Sequence, residues 1–119
     1  MRKLSLALLA LCFLFYGCDW LAPEVSITVD SFEQAYYKTF GGYSDLVQIF
    51  YTIKNTGSVT VDYYEVWFEA ICFDGTKYED WTNGLNLPPG RSISDSMFIT
   101  VPHKQVSRIR LVDYELSNY

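Results

Sequence analysis

The sequence predicts an all-β protein, an antiparallel β-sandwich of six to seven strands, from three observations. Apolar residues alternate with polar ones along most of the chain, and no long stretch shows the three-to-four spacing of an amphipathic helix. Phe, Trp and Tyr make up 18% of the residues, and aromatic side chains suit pleated, half-buried surfaces. The alternating stretches are short and end in Gly, Pro, Asn or Asp, the residues that turns between strands require.

Two strands are predicted in the first half of the domain. Residues 25–30 alternate apolar and polar side chains, and this strand is expected to continue irregularly through Phe32. Residues 47–54 alternate in the same way, and the Asn-Thr-Gly-Ser segment 55–58 closes that strand with turn chemistry.

The longest predicted strand covers residues 60–73. One of its faces is uniformly apolar and is expected to lie against the core; it carries Tyr64, Val66, Phe68, Ala70 and Cys72. The Asp74-Gly75 pair is typical of a hairpin turn. Residues 76–81 are therefore predicted to pair back onto the long strand.

The C-terminal part is predicted to add two more strands. Residues 83–90 are expected to form a loop, in which Pro89-Gly90 suits the two central positions of a type II turn. One strand is predicted over residues 93–101 and the last over 105–116. This regular spacing of short strands favours a two-layer sandwich.

The chain starts with the pattern of a secretory signal peptide. Arg2 and Lys3 precede an apolar run over residues 4–16, and Gly17-Cys18 follows. The run has 13 residues, whereas crossing a bilayer takes about 20. This length disfavours an uncleaved membrane anchor, and we expect the leader to be removed.

Residues 14–18 resemble the lipobox of bacterial lipoproteins, in which a small residue precedes a cysteine that becomes the acylated N-terminus. The resemblance implies cleavage between Gly17 and Cys18 and attachment of fatty chains such as palmitate to Cys18. Several buried acyl chains give stable anchoring. The implied location is the bacterial cell envelope, where the protein is anchored on the extracytoplasmic side of a membrane.

The implied organisation is a signal peptide over residues 1–17, a lipidated tether over 18–23 and a β-sandwich domain over 24–119. With Cys18 acylated, Cys72 has no partner within the exported chain. The alternative is an ordinary signal peptide, in which Cys18 keeps its thiol and could form a disulfide with Cys72 in an oxidising compartment.

The exported chain is expected to be acidic. Removal of residues 1–17 leaves 7 Lys and Arg residues against 14 Asp and Glu residues, a formal charge of −7. Such a surface would repel phosphate backbones, so we expect no nucleic-acid partner.

The order of motifs between residues 46 and 115 resembles the immunoglobulin-like domains of bacterial envelope proteins, in particular the FxLYD-type group. The shared motifs are a strand that ends in Asn-Thr-Gly, a long alternating strand, an Asp-Gly hairpin and a later Pro-Gly turn. The resemblance implies an immunoglobulin-like sandwich that serves as an accessory or adhesive module outside the cytoplasm, mostly without known catalytic residues.

Groups that could support catalysis or metal binding are few. His103, the only histidine, follows Pro102 in a predicted loop, and no nucleophile motif accompanies it. Asp74, Glu79 and Asp80 lie close in sequence, but they lack the alternating acids and the fixed glycine of an EF-hand loop. We therefore expect no catalytic residue, no metal and no cofactor.

The best candidate for a binding surface is the second face of the long strand, where Tyr63 and Trp67 alternate with Glu65 and Glu69. Trp81, on the following predicted strand, belongs to the same candidate surface. Tryptophan and tyrosine are enriched among the residues that anchor interfaces. Sandwiches of this type often bury a tryptophan in the equivalent strand, so packing of Trp67 in the core is the alternative.

These features favour a non-catalytic envelope module whose partner is another protein, recruited for example by addition of a strand to an exposed sheet edge. The alternative function is carbohydrate binding, with the rings of Tyr63, Trp67 and Trp81 as stacking surfaces.

Overall fold

The computed structural model describes residues 22–37 and 41–118, which form six β-strands in two antiparallel sheets. The strands are β1 (Val25–Tyr37), β2 (Gly42–Asn55), β3 (Val61–Cys72), β4 (Lys77–Leu87), β5 (Ser92–Thr100) and β6 (Val106–Ser117). Within the described ranges no helix is able to span a membrane.

The predicted leader and lipidation site lie outside the described residues. Residues 1–21 hold the whole of the predicted signal peptide, the Gly17-Cys18 junction and most of the predicted tether. The first strand begins at Val25, directly after the predicted start of the sandwich domain.

The two sheets have the strand orders β1-β2-β5 and β4-β3-β6. Across the gap between the sheets β1 lies beside β6 and β4 lies beside β5, so β2 and β3 occupy the middle of the two layers. Every paired strand runs antiparallel to its neighbour. The prediction of an all-β antiparallel sandwich is confirmed, with six strands.

The core is formed mainly by the inner faces of β2 and β3. Tyr51 of β2 packs against Phe68 of β3 with ring centroids 5.3 Å apart, a separation at which aromatic pairs attract each other. The apolar face predicted for the long strand lies in this core, and each of its members is at most 3% exposed: Tyr64, Val66, Phe68, Ala70 and Cys72. Full burial of one large apolar side chain contributes about 1.5–3 kcal/mol. Because β2 and β3 hold most of the buried apolar side chains, they contribute most to the stability of the sandwich.

β4 is longer than the sequence indicated, because the predicted loop over residues 83–90 is strand as far as Leu87. Gly84 pairs with Tyr64, and the ring of Tyr64 occupies the space that a Cβ atom on Gly84 would need. A glycine within a strand is typical of such a close approach. Leu87 is completely buried, so β4 ends in the core and the loop starts only at Pro88.

β1 and β2 also extend beyond the predicted ranges. β1 continues to Tyr37, with shifts of register after Val29 and after Gln34. Close to where β1 ends and β2 begins, Tyr36 pairs with Tyr43, and their rings meet edge to face with centroids 4.9 Å apart. The irregular continuation of the first strand reflects these shifts of register.

Two turns have the geometry that the sequence predicts. Gly75, in the Asp-Gly turn, has φ 90°, and Gly90, in the Pro-Gly turn, has φ 79°. The N–H of Arg91 donates to the carbonyl oxygen of Pro88 at 3.1 Å. This bond closes a four-residue turn with glycine in third place, as a type II turn requires.

Asn55, at the end of β2, fixes the loop after β2 to the end of β4 with one buried side chain. Its Nδ2 donates to the carbonyl oxygens of Val59 and Leu87, both at 2.8 Å, and its Oδ1 accepts from the N–H of Gly57 at 2.9 Å. The backbone N–H of Asn55 donates to the carbonyl oxygen of Arg91 at 3.0 Å. The loop after β2 is therefore fixed to the loop after β4.

At the opposite end of the sandwich, the side-chain amide of Gln34 also joins separate backbone segments by hydrogen bonds. Its Nε2 donates to the carbonyl oxygens of Ser44 at 3.0 Å and Lys104 at 2.7 Å, and its Oε1 accepts from the N–H of Val106 at 2.8 Å. A side chain on β1 thus ties the first sheet to the start of β6 in the second.

Candidate binding surface

The three aromatic residues singled out in the sequence lie on the outer face of the β4-β3-β6 sheet. Tyr63 and Trp67 alternate with the buried residues of β3 and point away from the core. Trp81 on β4 is the direct cross-strand partner of Trp67, and paired residues of antiparallel strands share a face. The sheet register therefore brings Trp67 and Trp81 together.

The two tryptophans form a stacked pair open to solvent. Their ring centroids are 5.7 Å apart and their planes are inclined by 30°, within the range of favourable offset stacking. Trp81 is 43% exposed, and Trp67 is partly exposed. Trp67 therefore lies outside the core between the sheets, and its packing partner is a neighbour on the same surface.

Tyr63 lies apart from the tryptophan pair, and its hydroxyl is bonded to the carboxylate of Glu65. It is four residues from Trp67 along β3, about 13 Å at about 3.3 Å per residue. Its hydroxyl donates to Oε2 of Glu65 at 2.6 Å and accepts from Nδ2 of Asn83 at 3.3 Å. Tyr63 thus holds Glu65 in place between itself and Trp67.

Carboxylates surround the tryptophan pair. On one side Glu65 pairs across the strands with Glu115, and on the other side Glu69 pairs with Glu79. Asp113 of β6 is the second cross-strand partner of Trp67. We name this surface the tryptophan face; it comprises Trp67, Trp81, Glu65, Glu69, Glu79, Asp113, Glu115 and Arg110.

Arg110 is the cation of the tryptophan face. Its Nε and Nη2 donate to Oε1 of Glu69 at 3.2 and 3.0 Å. The side chain of Glu69 is 12% exposed and that of Arg110 is 52% exposed, so the guanidinium partly covers this carboxylate.

The other acids and the histidine singled out in the sequence are spread over different surfaces. Glu79 and Asp80 are consecutive on β4, pairing with Glu69 and Phe68, and consecutive strand residues point to opposite faces. The side chain of His103 is 87% exposed, and its Nδ1 lies 3.3 Å from Oδ1 of Asp45. The described residues hold no group of three or more His, Cys, Asp or Glu side chains suited to a metal ion.

Asp74 is fixed in the hairpin turn after β3. Its Oδ1 accepts from the N–H of Thr76 at 2.9 Å, and Nζ of Lys104 lies 3.0 Å from its Oδ2. The hydrogen bonds from Thr76, and then the bond and charge of Lys104, lower the pKa of Asp74 to about 2. These contacts stabilise the ionised carboxylate, which acts here as a turn residue.

Cys72 lies buried at the end of β3 and is 3% exposed. Burial raises the pKa of its thiol, and the Asp74 carboxylate adds to that rise while Lys104 opposes it. A buried thiol with a raised pKa has little thiolate and reacts slowly.

A shallow groove on the other sheet was not anticipated from the sequence. It has a volume of about 330 Å³ and is lined by Asp30, Phe50, Tyr51, Ser94, Asp95 and Ser96. The Thr52 hydroxyl bridges two strands beside it, donating to Oδ2 of Asp30 at 2.6 Å and lying 2.9 Å from Oγ of Ser94. Ser94 and Ser96, at alternate positions of β5, are the local sequence signal for this row of hydroxyls.

Tyr51, which lines this groove, and Tyr64 are both buried, and both remain protonated at neutral pH. Burial, the Asp95 carboxylate and the hydroxyl of Tyr64 together raise the pKa of Tyr51 to about 12, against a hydrogen bond from Thr82 that lowers it. Burial and Asp95 also raise the pKa of Tyr64. The neutral hydroxyl of Tyr51 has the side chain of Thr82 as its hydrogen-bond partner.

Comparisons with known proteins show the fold. No family model matches the chain, and no curated protein matches it in sequence. The crystal structure of the "putative ApaA protein" from Bordetella pertussis is similar, with a TM-score of 0.52 over 79% of this chain and 92% of that chain. The two sequences are 12% identical, so the similarity is one of architecture.

Proposed function

We propose that this chain is a bacterial lipoprotein, held in the cell envelope by acyl chains on Cys18, whose FxLYD-type immunoglobulin-like domain binds another protein without catalysis. The sequence supports the location through its charged, then apolar, then Gly-Cys leader. The six-stranded sandwich supports the domain type, because such sandwiches commonly serve as cell-surface modules.

The observation that carries the binding role is the exposed stacking of Trp67 on Trp81. A tryptophan needed only for folding gains most by complete burial, whereas Trp81 keeps 43% of its surface in solvent. Rigid aromatic side chains at the centre of a surface are the usual anchors of protein interfaces. The tryptophan face is therefore the proposed binding site.

The test compares Trp81→Ala with Phe98→Ala in the full-length lipidated protein. Phe98 is 53% exposed and lies on the other sheet, which makes it a matched aromatic control. We expect Trp81→Ala to lower the free energy of unfolding by no more than about 1 kcal/mol, the usual value of a cross-strand pair. Retention of envelope proteins by the immobilised variant should be lost, and Phe98→Ala should behave like the wild type.

Two outcomes would contradict the proposal that the tryptophan face is the binding site. If Trp81→Ala unfolds the domain, the pair belongs to its structural support. If the folded variant retains the same proteins as the wild type, the tryptophan face is not the site of binding.

Carbohydrate binding is the second candidate, and the groove beside Phe50 favours it. A cavity of about 330 Å³ with an aromatic wall, the Asp30 carboxylate and the hydroxyls of Ser94 and Ser96 offers a sugar ring both stacking and hydrogen bonds. Titration with envelope oligosaccharides separates the candidates. Saturable sugar binding that depends on Phe50 or on Trp81 would support the second candidate over the first.

A further inference from the structure

We propose that Asp80, Asp95 and Asp113 each bind a backbone N–H on the open side of an outer strand, and that these three aspartate caps prevent the sandwich from pairing edge to edge with a second copy of this chain. The inference goes beyond the proposed function, because it holds whether or not the tryptophan face binds a protein. Its basis is the direction of the backbone amides together with three side-chain hydrogen bonds.

The outer strands are where the sandwich is open to pairing. They are β1 and β5 in one sheet and β4 and β6 in the other. One side of an outer strand lacks a partner strand, so its backbone groups there are a template for an added strand. The β2–β5 and β3–β4 ladders each keep a single register, so β4 and β5 are the most regular edges.

In β5 the N–H of Ser96 points to the open side. The backbones of Asn55 and Asp45, near the two ends of β2, are bonded to the segments just before and just after β5. Backbone groups of successive strand residues point to alternate sides, so the odd-numbered residues of β2 between them also face β5. Asp95 pairs with one of these, Tyr51, and the next amide, that of Ser96, therefore faces away. Oδ1 of Asp95 accepts this N–H at 2.8 Å.

In β4 the N–H of Trp81 points to the open side in the same way. At the end of β3 the N–H of Cys72 donates to the carbonyl oxygen of Thr76, on the side of β4, at 2.8 Å. The even-numbered residues of β3 therefore face β4, and among them Phe68 pairs with Asp80. The amide of Trp81 faces away from β3, and Oδ1 of Asp80 accepts it at 2.8 Å.

The third cap lies on β6. The N–H of Phe73 donates to the carbonyl oxygen of Gln105, on the side of β6, at 3.2 Å. The odd-numbered residues of β3 therefore face β6, and Trp67 pairs there with Asp113. The amide of Tyr114 faces away from β3, and Oδ1 of Asp113 accepts it at 2.8 Å. Three outer strands thus share one arrangement, in which an aspartate paired within the ladder binds the next open amide.

Two of the caps stand where the sandwich core would favour an apolar side chain. Phe68 and Tyr51, the partners of Asp80 and Asp95, are at most 1% exposed, and cross-strand partners share a face. Both aspartates therefore belong to the inner faces of their strands, and an inward-pointing charge on an outer strand opposes edge pairing. The cap at Ser96 also divides β5 into two stretches of four residues, shorter than the usual strand of about 5–6 residues.

β1 interrupts its edge by another means. Its ladder with β2 shifts register after Val29 and after Gln34, and such irregularities bend a strand and disrupt its edge. Each of the four outer strands therefore carries a feature that opposes the addition of a strand. A partner protein would meet the faces of the sandwich and not its edges.

The experiment compares Asp80→Ala/Asp95→Ala/Asp113→Ala with Asp80→Asn/Asp95→Asn/Asp113→Asn. Both triple variants lose three charges, but the side-chain oxygen of asparagine can still accept an N–H. Light scattering measures the number of chains per particle for the full chain in an excess of neutral detergent micelles. Hydrogen exchange of the three capped amides is followed on the same samples over a range of protein concentrations.

We expect the wild type and the triple asparagine variant to hold a single chain per micelle, and the triple alanine variant to form dimers or larger assemblies. At high dilution the capped amides should exchange about two- to tenfold faster in the alanine variant, the equivalent of one net hydrogen bond. As the alanine variant associates, the same amides should become protected, because an added strand accepts them. Exchange of the amides between β2 and β5 should stay at the wild-type rate, which identifies the associating chains as folded.

A folded triple alanine variant that keeps a single chain per micelle at every concentration would overturn the inference. Equal association of the asparagine variant would overturn it too, because charge and not the cap would then be the cause, and so would association that leaves the capped amides unprotected. If the triple alanine variant unfolds, the single variant Asp95→Ala decides by the same measurements. Trp81→Ala keeps its backbone N–H, so a failure of the tryptophan face to bind protein would leave these results unchanged.

Discussion

At the scale of single residues, Asn55 shows how one polar side chain can hold a loop assembly together. It is completely buried, yet both ends of its amide are hydrogen-bonded: the oxygen to the loop after β2, and the nitrogen to that loop and to the end of β4. Each such bond has a net value of about 0.5–1.5 kcal/mol, and a buried carbonyl left without a donor costs about 1–3 kcal/mol.

We therefore expect Asn55→Ala to lower the free energy of unfolding by about 2–4 kcal/mol, measured by urea denaturation. Asn83→Ala is the control, because Asn83 is exposed and its amide makes a long bond to Tyr63 at the surface. A loss for Asn55→Ala no greater than that of the control would show that the buried amide does not hold the loops.

Asp74 gives a second prediction at this scale, on the dependence of stability on pH. Its folded pKa is about 2, below the ordinary value of about 3.9 expected in the unfolded chain. A group whose pKa falls on folding contributes stability above its unfolded pKa, and that contribution is lost as the pH falls towards the folded pKa.

The melting temperature of Asp74→Asn should accordingly lie below that of the wild type at about pH 5 and approach it near pH 2. Lys104→Ala should raise the pKa of Asp74 only in part, because hydrogen bonding by Thr76 is the larger cause of its low value. A constant difference in melting temperature over this range would contradict the assignment.

At the scale of elements, β4 depends on the contact between Gly84 and Tyr64. The ring of Tyr64 takes the space above Gly84, and Tyr64 is 3% exposed, so the ring has no room to move aside. Forcing extra volume into such a site costs about 1–3 kcal/mol.

Gly84→Ala should therefore destabilise the domain by about 1–3 kcal/mol in thermal or urea unfolding. In Gly84→Ala combined with Tyr64→Leu, the added methyl group should cost less than it does beside tyrosine. Gly57→Ala is the control, because a Cβ atom on Gly57 would meet the chain before β1 and not Tyr64. Its effect on stability should therefore not depend on Tyr64→Leu. An additive double variant would show that the glycine and the ring do not interact.

Some elements of this fold follow from the local sequence, and others depend on distant residues. The inner face of β3 and the turn at Gly90 could be predicted, because alternation and a positive φ are set by neighbouring residues. The course of β4 beyond residue 82 could not, because Gly84 reads as a turn residue unless the ring of Tyr64, twenty positions earlier, is known to lie over it.

The sequence could name aromatic residues of the candidate surface, but it could not predict how they are arranged. Trp67 and Trp81 could be named from their residue type and from the alternation of β3. Their stacking follows from the register between β3 and β4, and the placement of Asp113 and Glu115 beside them follows from the register with β6. Registers between distant strands depend on the whole fold, and β6 is offset by an irregularity next to Trp67.

At the scale of the whole molecule, the sandwich presents two unlike outer surfaces. One sheet carries the tryptophan face, and the other carries the hydroxyl-lined groove beside Phe50. The buried side chains of β2 and β3 pack against each other between the two sheets.

The measurement that tests this account most directly is intact mass spectrometry of the protein purified from the membrane fraction of cells that express the whole chain. The account predicts a polypeptide that begins at Cys18, carries the added mass of fatty acyl chains on that residue and has a free thiol at Cys72. A water-soluble polypeptide that begins at another residue, or one with a disulfide between Cys18 and Cys72, would contradict it.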